Sequence, residues 1–222
     1  MVKIKICGIT NLDDALLAID AGADALGFVF HTASPRHLFP EQAARIIRHL
    51  PPFVQTVGLF VNETATTIKE TAERCGLDII QLHGEEPPDM CRSLGRRVIK
   101  AFRIKDVTCL DAINCYHPAA ILLDTWSPSA HGGTGRTFNW EIAAAAAKTG
   151  RIILAGGLSP DNVAAAIRQV QPYGVDVSSG VEALPGRKDS RKVIEFITQA
   201  RLAAEDSSVL SDRPVSILSR ES

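Results

Sequence analysis

The sequence predicts an α/β fold, a single closed (β/α)8 barrel, and three observations carry the prediction. Eight short apolar runs, at 2–7, 25–30, 54–61, 78–82, 97–103, 119–124, 151–155 and 174–178, are each followed by a helical stretch. Glycine- and serine-rich turns of the kind that receive an anion follow only the last two runs. The 222 residues suit one such domain, since α/β barrels commonly run to roughly 200–250 residues.

The first run, Lys3-Ile4-Lys5-Ile6-Cys7, leads into a helix over 11–21 that Thr10 and Asp13 open as a capping-box-like pair. The second, Ala25 to Phe30, is almost continuously apolar, as a parallel strand covered on both faces should be. Helices over 40–50, 63–75, 86–95 and 106–114 follow the second to fifth runs in the same way. The sixth run holds Ala120-Ile121-Leu122-Leu123, and the helix over 139–149 carries five alanines, Ala143–Ala147, that suit close packing on a barrel. Ser159 and Pro160 read as the N-cap and first turn of a helix over 160–171. The last helix spans 189–204. An open doubly wound sheet also alternates strands and helices, but eight units with anion-type turns confined to units seven and eight favour closure. The reading is therefore one TIM-barrel domain over 1–204, with a polar appendage over 205–222 expected to be disordered.

Composition narrows the function. With 24 basic against 25 acidic residues the formal net charge is −1, which argues against nucleic acid or an anionic membrane as the main partner. The five cysteines are odd in number and form no CxxC pair, so neither a disulfide framework nor a zinc knuckle is expected. No charged leader with an apolar core precedes the first strand, and no apolar run approaches the ~18 residues of a membrane span. The expectation is a soluble, cytoplasmic protein.

In such barrels chemistry sits where strands end and loops begin. Cys7 ends the first strand, where a thiol is placed to react or to carry a proton; the alternative is a small buried hydrophobe. Asp124 ends the sixth, where a partly desolvated carboxyl suits a general acid, against an acid merely held by loop amides. Arg36, in the loop His31–His37, offers a planar fork to an anion or else is a solvated surface residue. His31 and His37 read as ordinary loop residues, and His83, ending the fourth strand, as a pocket residue without a ligand motif around it. The loop 125–136 after Asp124 is long enough to cover a pocket, but its glycines lack the GxxxxGK[ST] spacing of a nucleotide loop. Gly156 and Gly157 after the seventh strand, with Ser179 and Gly180 after the eighth, predict a phosphate cradle. Glycines serving tight turns alone are the competing account of either loop.

Taken together, Lys5-Ile6-Cys7-Gly8-Ile9-Thr10, Gln81-Leu82-His83-Gly84, Leu122-Leu123-Asp124, Gly132-Gly133-Thr134-Gly135, Ala155-Gly156-Gly157-Leu158 and Asp176-Val177-Ser178-Ser179-Gly180-Val181-Glu182 resemble the phosphoribosylanthranilate isomerase family of tryptophan biosynthesis. The likeness runs in register from about residue 2 to 202. It implies an Amadori rearrangement of N-(5-phosphoribosyl)anthranilate to an aminoketose phosphate by acid–base catalysis. It implies Cys7 as general base, Asp124 as general acid, Arg36 on the anthranilate carboxylate, and the last two loops on the phosphate. It implies no cofactor, and a monomer or homodimer. An isomerase of a histidine-pathway aminoaldose would be expected to carry an aspartate where Cys7 stands. A metal-dependent sugar-phosphate epimerase would need several convergent ligands, and a non-catalytic phosphate-ester sensor would need neither Cys7 nor Asp124.

Overall fold

The computed structural model describes residues 1–104, 113, 115–125, 140–148 and 150–211. Eight strands form its core: β1 (Lys3–Cys7), β2 (Ala25–Val29), β3 (Gln55–Phe60), β4 (Ile79–Leu82), β5 (Arg97–Ile104), β6 (Ala120–Thr125), β7 (Ile152–Leu154) and β8 (Gly174–Val177). They pair in sequence order, and β1 pairs in parallel with β8 from Lys3↔Gly174 to Ile6↔Val177. That ladder closes the sheet, which excludes the open doubly wound alternative.

Closure gives each strand two different neighbours. Alternate residues point to opposite faces. On β1, Ile4 and Ile6 face the helices and join the large outer core, whereas Lys5 and Cys7 face inward. The interior is filled by a smaller cluster that includes Val57, Ile99, Ala101, Leu122 and Ile153. The outer helices cover Leu12–Asp20, Pro40–Ile47, Ala65–Cys75, Pro88–Ser93, Trp140–Ala147, Val163–Val170 and Ser190–Ser211. The last of these buries Val193, Phe196, Ile197, Ala200 and Ala203, one stripe at helical spacing. Ala143 and Ala146 are buried on the alanine-rich helix, as close packing requires.

Three details differ from the sequence reading. The first helix is capped by Asn11, whose Oδ1 accepts from Asp14 N at 2.9 Å. Thr10 instead donates to the carbonyl of Gly186. The helix expected from 160 begins at Val163, because Ser159 N–H bonds to Asn162 Oδ1 at 2.9 Å and residues 160–162 form a turn. The last helix runs to Ser211, so the boundary expected at 204 falls inside it, and Asp206 pairs with Arg168 at 3.1 Å. Residues 212–222 of the expected appendage, the loop 126–136 and all but Ile113 of the helix expected over 106–114 lie outside the described residues.

The mouth of the barrel is braced on the β4–β5 side by a buried ion pair. Lys100 Nζ donates to Glu86 Oε2 at 2.9 Å and to Gly84 O at 2.6 Å. Asn62 N donates to Glu86 Oε1 at 2.9 Å, so one carboxylate ties the loops after β3 and β4 to β5. Burial pushes Glu86 up, but the bonds from Lys100 and the Asn62 amide hold it below the ordinary glutamate value. Breaking such a pair leaves a bare buried charge, so Lys100→Met should cost about 3–5 kcal/mol in urea denaturation at neutral pH. Adding Glu86→Gln should restore a good part of that loss. Equal losses in both variants would show that the packing of the lysine stem, not the charge, carries the effect.

Candidate active site

The C-terminal ends of the strands surround an open cavity of about 440 Å³. Cys7, Arg36, His83 and Asp124 all line it, as do Gly156, Gly157, Ser179 and Gly180. Each residue given a site role in the sequence thus lines one mouth. His31 lines it too, although it reads as an ordinary loop residue, whereas His37 packs edge-on against Phe39 with ring centroids 5.0 Å apart.

Cys7 is buried at the end of β1, and Gly8, at φ +76, turns the chain away from it. Burial pushes the thiol above its ordinary value; Lys5 and, more weakly, Lys188 pull it back, while Asp176 works against them. Lys188 comes from an element the sequence reading missed. Glu182–Leu184 and Arg187–Lys188 form a small antiparallel hairpin between β8 and the last helix. Its turn holds Pro185-Gly186, with Gly186 at φ +78, and that dipeptide was the available signal. The fully buried Lys188 ammonium donates to Cys7 O at 2.6 Å and to Ser178 O at 3.2 Å, joining the ends of β1 and β8.

Glu182 organises this corner. Its Oε1 accepts from Arg36 Nε at 2.7 Å and from Lys188 Nζ at 3.1 Å, and its Oε2 accepts from Arg36 Nη2 at 2.6 Å. Burial pushes the carboxyl up, but Arg36 and Lys188 hold it below the ordinary range. Arg36 is therefore no free surface cation. Its side-on edge is bound to Glu182, and Nη1 has no partner among the described residues. A guanidinium so held keeps its end-on edge available for a second carboxylate.

On the opposite wall, Gln81 Nε2 donates to His83 Nδ1 at 2.9 Å. With that nitrogen accepting, the ring proton of neutral His83 is on Nε2, which donates to Asp124 Oδ2 at 3.2 Å. Gln81 is fully buried inside the barrel, and its inward direction follows from its place two residues before His83 on one strand. In the sequence it stands in the Gln81-Leu82-His83-Gly84 motif without a role of its own.

Across the mouth, the loops after β7 and β8 interlock. Gly156 and Gly157 have φ of +77 and +66, a conformation that favours glycine. Asn162 Nδ2 donates to Gly157 O at 2.9 Å and so fixes the first loop. A Cβ at Gly180 would stand 1.9 Å from Leu158 O, so only glycine lets the second loop lie against it. Ser178 Oγ beside them is buried and without a hydrogen-bond partner among the described residues. Among the described residues no group of three or more His, Cys, Asp or Glu is placed to hold a metal ion, and no helix is long and apolar enough to cross a membrane.

Comparison with known proteins places this geometry. Residues 4–199 match the family model of N-(5'-phosphoribosyl)anthranilate isomerase. The isomerase of that name from Pelobacter propionicus is 66% identical over 207 residues, 93% of this chain and 99% of the relative. The one from Geobacter sulfurreducens is 64% identical, over 90% of this chain and 99% of its own. A crystal structure of the isomerase from Thermotoga maritima superposes with a TM-score of 0.85 at 47% identity, covering 90% of this chain and 99% of that one. A phosphoribosyl anthranilate isomerase in complex with reduced 1-(o-carboxyphenylamino)-1-deoxyribulose 5-phosphate gives a TM-score of 0.82 at 44% identity, with the same coverage.

The interlocked loops generate a test. If they cradle a phosphate, Gly180→Ala should weaken binding of inorganic phosphate at least about tenfold, a loss of ~1.4 kcal/mol, in calorimetry on a protein whose circular dichroism is unchanged. Unaltered affinity in the folded variant would place the anion elsewhere.

Proposed function

The chain belongs to the N-(5'-phosphoribosyl)anthranilate isomerase family and is an isomerase of tryptophan biosynthesis, and we propose that Cys7 is its general base and Asp124 its general acid. One observation carries the assignment: a thiol on β1 and a carboxyl on β6 share a single cavity between an arginine fork and a pair of glycine loops.

The substrate has a ribose ring with an arylamine at C1′ and a phosphate at C5′. The phosphate lies against Gly156, Gly157, Ser179 and Gly180, and the end-on edge of Arg36 takes the carboxylate of the aromatic ring. These two charged ends fix the sugar between Cys7 and Asp124. Asp124 protonates the ring oxygen and the ring opens to an iminium. His83 Nε2–H then stabilises the carboxylate that the departing proton leaves behind, while Gln81 keeps the ring in that tautomer. Cys7 as thiolate removes the C2′ proton, and the enolamine tautomerises to the aminoketose phosphate. The iminium is the electron sink, so the chemistry calls for no separate cofactor.

A small phosphoribosyl compound is the partner this reading requires. The solved relatives include a structure of monomers of the dimeric isomerase from Thermotoga maritima (TM-score 0.81, 42% identity, 90% of this chain and 99% of that one), so both assembly states occur around this fold. A cytoplasmic site of action fits a biosynthetic enzyme of this kind.

Acid–base groups each contribute typically ~10²–10⁴-fold, so Cys7→Ser and Asp124→Asn should each lower turnover by at least ~10²-fold with phosphate-ester binding retained. The double variant should be little worse than the poorer single. Near-normal turnover of Cys7→Ser would make the thiol a packing residue. A charge-assisted fork contributes about 1.5–3 kcal/mol, so Arg36→Ala should raise the apparent KM roughly 10- to 150-fold. The penalty should shrink for an analogue without the aromatic carboxylate; an equal penalty for both would assign Arg36 to the phosphate or to the fold.

A further inference from the structure

Beneath Cys7 the barrel interior holds an ion pair that the reaction as written does not use. Lys5 Nζ donates to Asp176 Oδ1 at 2.8 Å, with the two side chains only 5% and 8% exposed. Well-packed apolar residues commonly do as well or better in such a place, so stability alone is a weak reason for it. Its position is more informative. Lys5 and Cys7 are two apart on β1 and share its inner face. Asp176 stands beside Lys5 across the closing ladder, and Gly27 stands beside Cys7 on β2. A methyl group on Gly27 would lie 2.7 Å from Cys7 Sγ and 3.1 Å from Lys5 Cε. The sulfur and the end of the lysine stem therefore converge on one small space that glycine leaves open.

We propose that Lys5, pinned by Asp176, is a positioning residue that supplies the fixed positive charge on which the Cys7 thiolate forms. The proposal rests on the reading of Cys7 as the base. The charged groups around Cys7 are Lys5 on its own strand, Asp176 on β8, Lys188 and Glu182 on the hairpin, and Arg36 after β2. Arg36 and Lys188 are both bound to Glu182. Lys188 also directs its ammonium to the carbonyl of Cys7. Lys5 shares its charge with Asp176 alone and gives the strongest pull against burial on the thiol. Burial draws the Lys5 ammonium down, but Asp176 and Cys7 more than offset this, so it stays charged at neutral pH. Lys5 is thus a standing charge and not a proton acceptor. The thiol proton leaves to bulk water, the sulfur keeps the electron pair beside the ammonium, and the C2′ proton later takes the vacated place on sulfur.

The test is the pH dependence of Cys7 alkylation by iodoacetamide in the full-length protein, read by mass spectrometry of the Cys7 peptide. Lys5→Arg keeps a cation paired with Asp176 beneath the sulfur and should alkylate at pH 7 near the wild-type rate. Lys5→Met with Asp176→Asn removes the cation without leaving a bare aspartate. It should slow alkylation about tenfold or more relative to wild type, a one-unit upward shift, and move the acidic limb of turnover upward. Cys91, whose thiol feels Lys100 and Glu86 and not Lys5, is the internal control and should not change. Wild-type alkylation in the folded double variant overturns the proposal, and so does equal slowing in folded Lys5→Arg, which reports altered access. Should the double variant fail to fold, Lys5→Gln takes its place, with a wild-type rate in that variant overturning the idea. Cys7→Ser turnover judges the base assignment separately, since alkylation reports the field at sulfur whether or not that sulfur is the base.

Discussion

One carboxylate holds the mouth of this barrel in shape. Glu182 accepts the side-on edge of Arg36 from the β2 loop and the ammonium of Lys188 from its own hairpin, and Lys188 in turn spans the carbonyls of Cys7 and Ser178. The orientation of the Arg36 fork, the seam between β1 and β8, and the seating of the Cys7 thiol therefore share one negative charge. Its lowered pKa shows the sign of the coupling. The arrangement is complete above the ordinary glutamate range and comes apart as pH falls through the lowered value, when protonation takes away the charge both cations need.

The same arrangement explains why a barrel with an apolar interior tolerates ions at all. Its buried charges occur in matched groups: Lys5 with Asp176, Lys100 with Glu86, and Arg36 and Lys188 with Glu182. Each group lies toward the C-terminal ends of the strands or directly beneath them. Below, Val57, Ile99, Leu122 and Ile153 form an apolar layer. An apolar layer raises the worth of the charges beside it, because less solvent remains to screen them.

Much of this was legible in the sequence because strand ends are legible. Cys7, His83 and Asp124 each close an apolar run, and a parallel barrel delivers such residues to one rim. Gly156, Gly157 and Gly180 were legible for the same reason. What could not be read were the partners, since Glu182 meets Arg36 across 146 positions and Lys188 meets Cys7 across 181. Gln81 was hidden by its apolar neighbours, because nothing local distinguishes an inward glutamine from a tolerated one. Asn11 displaced Thr10 as a helix cap only because the hairpin turn at Gly186 engages the threonine, which is again a contact far along the chain.

The clasp between the two ends of the barrel has a bearing on how the chain reaches its structure. Arg201 on the last helix donates to Val2 O at 2.7 Å, to Gly22 O at 2.9 Å and to Asp24 Oδ2 at 2.8 Å, and Asp24 also holds Lys3. On a ribosome, β1 emerges first and waits through nearly the whole of synthesis for both β8 and this arginine. Until then its outer edge is an unpaired row of amides and carbonyls beside uncovered isoleucines, the kind of surface that recruits a neighbouring nascent chain. Charged Lys3 and Lys5 alternate with Ile4 and Ile6 along that edge. Charges alternating with apolar residues are one of the devices by which an unpaired strand avoids adding to another chain.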